Sequence, residues 1–325
     1  MAFRWGILGL GSIARKFAEG LTSAQGSELV AVGSRSQEKA EQFGAEFGAA
    51  HRYGSYAELA ADPNVDGVYI ASPHPMHKDD AILCLRQGKA VLCEKPFTVN
   101  TAQAEEVIAV ARQNKAFLME AMWTRFIPLT QKVRQLVQDG SIGDVQIVQA
   151  DFGFRAGFNP EGRLFNPALG GGALLDVGIY CLSYASMLLG TPTEVTGTAS
   201  LGKTGVDETA AMSLVYGSGA VATLSTTIRA NTPQSATIIG TAGKITVHSP
   251  FWIPKTLTLA REGQADELIE LPYVGNGYNY EAEEVAHCVA QGLTESAQMP
   301  LAETQELMKT MDKLRAQWGV RYPME

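Results

Sequence analysis

Between an apolar run, Phe3 to Leu8, and an amphipathic stretch stands Gly9-Leu10-Gly11-Ser12-Ile13-Ala14. In that setting G-x-G-x-x-G/A dictates a strand turning sharply into a helix, the first unit of a dinucleotide-binding fold. Gly9 permits the tight turn, and Gly11 leaves room for a pyrophosphate to approach the backbone. Ala14 keeps the helix close to the sheet, while the amides at Ser12 and Ile13 open the helix toward the phosphates. A second apolar run, Glu28 to Gly33, ends at Ser34-Arg35, with Lys39 one helical turn on. A carboxylate at that place would bind both ribose hydroxyls. A hydroxyl with two cations suits a 2′-phosphate instead, so the cofactor read from these residues is NADP(H).

The pattern repeats along the first third of the chain. Strand candidates Phe3–Leu8, Leu29–Val32, Gly67–Ile70, Ala90–Cys93 and Ala116–Met119 alternate with helices beginning near Ser12, Ser36, Ser55, Pro75 and Thr101. That alternation predicts an α/β Rossmann domain, a doubly wound parallel sheet over residues 1–121. Asp62-Pro63 ends one helix, and Asn100 caps another. After Trp123 the period changes to that of strands, with runs at Val145–Phe154, Thr193–Leu201, Glu208–Tyr216, Ala220–Ile228, Ser235–Ile239, Lys244–His248 and Thr256–Arg261. Turn signals such as Tyr216-Gly-Ser-Gly219 predict antiparallel pairing. Helices are expected over Pro128–Gln138, Gly171–Leu189, Tyr280–Gln291 and Leu301–Trp318. Residues 122–325 therefore read as an α+β domain with an open, mainly antiparallel sheet, whose uncovered face predicts a homodimer.

Composition narrows the function classes. The 325 residues are 46% hydrophobic and 18% charged, with a net charge of −8. No basic surplus is left for nucleic acid or an anionic membrane. The first residues read directly into a strand with no signal-peptide h-region, and no apolar run is expected to reach a membrane span. Cys84, Cys93, Cys181 and Cys288 sit in apolar stretches without metal spacing, which predicts buried reduced thiols in a cytoplasmic protein.

Ligands of an open parallel sheet bind beyond the carboxyl ends of its strands. Ala71-Ser72-Pro73-His74-Pro75-Met76-His77, Glu94-Lys95-Pro96-Phe97 and Glu120-Ala-Met-Trp123-Thr-Arg125 all arrive there. Lys95 places a cation where substrate and nicotinamide should meet. In the second domain, Gly170-Gly-Gly-Ala-Leu-Leu-Asp176-Val-Gly-Ile-Tyr180 sets a carboxylate and a phenol on one face of a helix. A buried Asp inside so apolar a helix is costly without a role.

These motifs, in order along essentially the whole chain, resemble the glucose–fructose oxidoreductase/inositol dehydrogenase (Gfo/Idh/MocA) family. They are G-x-G-x-I-A at 9–14, S-P-x-x-x-H at 72–77, E-K-P at 94–96 and G-G-G-x-x-x-D-x-G-x-Y at 170–180. His-Pro-x-His at 74–77, Glu-Ala-Met-Trp-Thr-Arg-Phe at 120–126 and Gly-Asn-Gly-Tyr-x-Tyr-Glu at 275–281 are similar to the branch of dimeric dihydrodiol dehydrogenases and NADP-dependent D-xylose 1-dehydrogenases. Many family members carry a histidine where this chain has Tyr180.

The resemblance implies NADP-dependent hydride transfer between nicotinamide C4 and a hydroxyl-bearing carbon of a sugar or cyclic diol. Tyr180 would accept the hydroxyl proton. A free phenol titrates near ~10, and the Lys95 ammonium would favour its phenolate while hydrogen-bonding the reacting oxygen. Lys95 as the base is the alternative assignment. Asp176 would orient substrate hydroxyls and hold the Lys–Tyr pair in register. Ser72, Pro73, His74 and Glu94 are expected at the cofactor, as is His77, which could equally bond substrate or cap the helix it begins. Trp123 and Arg125 would wall the nicotinamide and bind a phosphate or amide, with simple packing the alternative for Trp123. Tyr278 and Tyr280 are further candidates for the substrate cleft. His51, His248 and His287 lack ligand spacing, so no metal is expected. Two other readings stay open: a cofactor-binding regulator without turnover, and a reductase of a non-sugar carbonyl. Arg155, Asn159 and Arg163 favour hydroxyl-rich substrates over the latter.

Overall fold

The computed structural model describes residues 2–325; Met1, at the start of the expected 1–121 domain, lies outside the described residues. The chain through Trp123 begins with β1 (Phe3–Leu8), α1 (Ser12–Leu21), β2 (Ser27–Gly33), α2 (Gln37–Phe47), β3 (His51–Tyr53) and α3 (Tyr56–Ala61). It continues with β4 (Gly67–Ile70), α4 (His77–Arg86), β5 (Ala90–Glu94), α5 (Thr101–Asn114) and β6 (Leu118–Ala121). The strands pair in parallel in the order β3-β2-β1-β4-β5-β6. The central strands β4 and β5 are buried throughout, as helices on both faces require. Trp5, Phe17 and Tyr69 form the aromatic centre, with Phe17 and Tyr69 stacked at 3.8 Å. Helix starts follow side-chain caps: Ser55 Oγ accepts from Glu58 N–H at 3.3 Å, and Asn100 Oδ1 from Gln103 N–H at 2.9 Å.

The second unit runs from Thr124 to Tyr273. It contains α6 (Pro128–Gln138), β7 (Val145–Gly153), a π-helical turn (Leu174–Gly178) leading into α7 (Ile179–Leu189), β8 (Pro192–Leu201), β9 (Asp207–Tyr216) and β10 (Val221–Thr227). β11 (Ala236–Gly240), β12 (Gly243–Val247), β13 (Thr256–Arg261) and β14 (Glu267–Glu270) complete the sheet. The eight strands lie in the order β14-β13-β12-β11-β7-β10-β9-β8. All neighbours are antiparallel except β7 and β10. Period-two alternation divides the faces. Val148, Ala222 and Leu214 are aligned in register and buried on the face against which α7 packs. Gln149, Thr223, Ser213 and Thr237 line up on the other, which forms an open concave surface of about 710 Å³.

Pro167–Leu189 corrects the expectation that no apolar run reaches membrane-span length. It is long and apolar enough, but its most apolar window is 83% buried, so it is an interior segment of this unit, carrying the π-helical turn and α7. The π-helical turn likewise replaces the uninterrupted helix expected over Gly171–Leu189.

The chain then returns. Val274–Gln305, including α8 (Tyr278–Ala290), joins the first unit, and α9 (Leu301–Trp318) belongs to the second from Glu306 onward. The second unit is thus not the continuous 122–325 expected from sequence. The cause is local: Asn276 Nδ2 donates to Lys16 O at 2.7 Å, Leu118 N–H to Thr294 O at 3.0 Å, and Gln25 N–H to Glu283 Oε1 at 2.9 Å. Three-residue β3 and charge-rich β14 were also absent from the sequence reading.

Candidate active site

In the first unit, Gly9 has φ +85°, and a Cβ there would sit 2.8 Å from Ser72 N. Only glycine lets β1 turn this close to the segment after β4. Gly11 is different. It is exposed, it precedes α1 without a side-chain cap, and a Cβ on it would meet nothing within 4 Å. Ser12 is exposed, Ile13 half-buried and Ala14 fully buried. The start of α1 is therefore an open set of amides, which fits a dinucleotide pyrophosphate.

Ser34 is buried and pins the loop after β2. Its N–H donates to Tyr53 O at 3.0 Å, and its Oγ accepts from Ser36 N–H at 3.2 Å. Arg35 is exposed. Lys39 is also exposed, in the first turn of α2. Two cations thus remain at the end of β2.

The segment after β4 is more structural than the sequence implied. Ser72 Oγ donates to Asp80 Oδ2 at 2.6 Å, and burial pushes the Asp80 carboxyl up to about 6. His77 is fully buried, with Nε2 2.8 Å from Ser72 O and Nδ1 3.0 Å from Pro96 O. Burial holds its pKa below the ordinary value. His77 therefore ties the Ser72 and Lys95 loops together from the first turn of α4. Pro73 is exposed beside buried His74.

Lys95 follows β5, half-buried, before a cis bond to Pro96. Two buried carboxylates fix this loop. Glu94 Oε2 accepts from Lys95 N–H at 3.0 Å, and Oε1 accepts the Tyr69 hydroxyl. Glu94 is thus turned into the loop as a positioning residue. Glu120 accepts from Phe97 N–H at 3.1 Å and from Thr304 Oγ1 at 3.0 Å. Glu281 of α8 is fully buried, and neither oxygen has a hydrogen-bond partner among the described residues. Burial, reinforced by Glu94, raises its pKa well above the carboxylate range, so it holds its proton. Nothing in the sequence singled out Tyr69, and Glu281 entered only as the last letter of a motif. Trp123 stacks on Tyr278 at 4.5 Å, and Tyr280 Oη accepts from Val274 N–H at 2.8 Å.

In the second unit, Asp176 lies in the π-helical turn and Tyr180 in the first turn of α7. π-Turns inside helices recur at functional sites. Asp176 is buried, and its Oδ1 is 2.6 Å from Arg163 Nη1. Tyr180 has its ring centroid 5.3 Å from that of Phe152, on which Trp252 stacks at 3.7 Å. This aromatic wall escaped the sequence reading because Phe152 and Trp252 look like ordinary strand and loop hydrophobes. Arg125 is buried in this unit and donates to Ser183 Oγ and Ser183 O, both at 3.0 Å. These bonds secure the guanidinium against α7. Among the described residues no cluster of three His, Cys, Asp or Glu side chains is arranged for a metal ion.

Comparison with known proteins places these features in a family. Residues 3–122 match the oxidoreductase family with an NAD-binding Rossmann fold, and residues 130–246 the GFO/IDH/MocA C-terminal domain. The chain is similar to trans-1,2-dihydrobenzene-1,2-diol dehydrogenase of Mus musculus, 40% identical over 100% of this chain and 99% of the relative. The Homo sapiens enzyme of the same name is 37% identical over 100% and 99%. Among solved structures, an aldose-aldose oxidoreductase from Caulobacter crescentus superposes with a TM-score of 0.89 at 26% identity, covering 96% of each chain. A 3-ketoreductase from Actinomadura kijaniata, crystallised with NADP and TDP-benzene, gives 0.86 at 26% identity, covering 97% and 98%. The chain belongs to the GFO/IDH/MocA family and is an oxidoreductase with a nicotinamide-dinucleotide-binding Rossmann domain.

Proposed function

We propose that this chain is an NADP-dependent dehydrogenase that oxidises a secondary hydroxyl of a cyclic trans-diol, with aldoses of the D-xylose type as the related substrate class. The observation that carries the substrate reading is Tyr180 beside the Phe152–Trp252 wall, four residues from a carboxylate anchored by Arg163. A flat ring stacks on such a wall, and vicinal hydroxyls suit Asp176. The full-length likeness to dihydrodiol dehydrogenases supports the same class. Arg35 and Lys39, exposed after β2 where a ribose-binding carboxylate would otherwise stand, support NADP over NAD.

In this reading bound NADP supplies the hydride acceptor, and the protein manages the proton. Tyr180 Oη accepts the hydroxyl proton as general base. Lys95 supplies positive charge that stabilises the oxygen as charge develops. Asp176 orients the neighbouring hydroxyl. A regulator without turnover would have no use for this set of groups. Four buried free thiols support a reducing, cytoplasmic setting, and the polar, open face of the eight-stranded sheet supports a homodimer.

The test is a comparison of kcat/KM for trans-1,2-dihydrobenzene-1,2-diol and D-xylose, each with NADP and NAD. The proposal requires turnover of at least one substrate, with NADP preferred by about tenfold or more. A preference for NAD, or no turnover on either substrate, would overturn it.

A further inference from the structure

Asp207 opens β9, fully buried, more than thirty positions away in sequence from the helix it serves. Its Oδ2 accepts from Leu174 N–H at 2.6 Å. Leu174 is the first residue of the π-helical turn, and that turn has no side-chain cap from its own N-cap residue. A side-chain oxygen from a distant strand therefore does the capping, satisfying an amide the helix cannot. The approach is tight. Gly172 has φ +123°, and a Cβ there would run into Asp207 Oδ1 and come 3.3 Å from Tyr322 Oη. Tyr322, near the end of the chain, donates its hydroxyl to Gly171 O at 2.7 Å.

Tyr322 is itself held in place. Its N–H donates to Glu325 Oε2 at 3.0 Å, and the Arg315 guanidinium lies over its ring at 5.0 Å. Arg315 in turn bonds Glu325 Oε1 at 2.7 Å and Asp312 Oδ1 at 2.5 Å. The last residues of the chain form a hook that ends on the glycine segment immediately before Asp176.

We infer that Asp207 and Tyr322 are positioning residues that clamp the start of the Asp176–Tyr180 helix from two sides. Asp207 fixes the first turn through Leu174 N–H, and Tyr322 fixes the preceding Gly171 carbonyl. Neither touches substrate. A displacement of about 1 Å at a reacting group costs about a hundredfold in rate, so the clamp acts on turnover more than on binding. Its catalytic meaning rests on the reaction proposed above; its structural meaning does not.

The experiment is hydrogen–deuterium exchange of the segment 171–180 in Asp207→Ala, Asp207→Asn and Tyr322→Phe, paired with NADPH affinity and diol kinetics. Asp207→Ala and Tyr322→Phe should speed exchange in that segment about tenfold or more and lower kcat similarly. KM and NADPH affinity should stay within about twofold. Asp207→Asn keeps an acceptor oxygen and should restore slow exchange. Unchanged exchange at 171–180 in Tyr322→Phe, or faster exchange spread evenly through the unit, would overturn the inference. If the wild-type protein turns over no diol or sugar, the reaction proposal fails, and exchange alone still decides the clamp.

Discussion

Arg163 Nη1 stands 2.6 Å from Asp176 Oδ1, joining an exposed loop cation to a carboxylate buried in the core helix. The guanidinium is about half exposed while the carboxylate side chain is 9% exposed, so the energetic weight falls on Asp176. Removing the cation leaves a desolvated charge without this partner, a loss of about 1–3 kcal/mol. Arg163→Ala should therefore lower kcat/KM for the diol about tenfold or more. Asp176→Asn should lower it comparably, and the double variant should fall well short of the product. Additive losses would show that the pair does not act as one unit.

The two glycines of the first turn should separate fold from ligand. Gly9→Ala forces φ +85° on a residue with a Cβ 2.8 Å from Ser72 N. Positive φ alone costs about 1–3 kcal/mol, and thermal unfolding should show a lowered Tm. Gly11→Ala meets open space. Its Tm should match wild type while its Kd for NADPH rises about tenfold, ~1.4 kcal/mol.

Arg35→Asp should raise the KM for NADP about tenfold to a hundredfold and leave that for NAD within about threefold, because only the 2′-phosphate is lost as a partner. Equal effects on both cofactors would remove Arg35 from the 2′-phosphate site.

What the sequence made legible is the part written in local chemistry. Helix starts at Ser12, Gln37, Tyr56 and Thr101 follow their caps or glycines, and the parallel sheet follows from the apolar runs between them. Asp176 and Tyr180 stood out because a carboxylate in an apolar helix is expensive. Other features depend on partners far away in sequence. For His77 and Arg125, no periodicity announces the protein groups they bond, the Ser72 and Pro96 carbonyls and Ser183. A polar side chain spent internally looks the same in sequence as one offered to a ligand. The return of α8 to the first unit rests on contacts such as Asn276 to Lys16 O, which no periodicity announces.

Asp207 makes stability depend on pH in a direction that can be stated. Burial raises its carboxyl to about 7 from an unfolded value of 3.8, with Leu174 N–H and Arg315 pulling the other way. The folded state therefore binds more protons than the unfolded state between these values, so this contribution to stability falls as pH rises from 3.8 to about 7. Asp207→Asn removes the titration. Its Tm relative to wild type should improve steadily from pH 4 to pH 7 and level off above. A Tm difference that stays flat across this range would show that Asp207 does not titrate there.

NADPH formation at 340 nm from NADP and trans-1,2-dihydrobenzene-1,2-diol, in wild type, Lys95→Ala and Tyr180→Phe, decides whether the proposed reaction occurs and which groups carry it. Wild type should turn over, both variants should lose about a hundredfold or more, and Tyr180→Phe should retain NADPH binding. Wild-type rates in Tyr180→Phe would contradict the proposed mechanism, as would an inert wild-type protein that nevertheless binds NADPH.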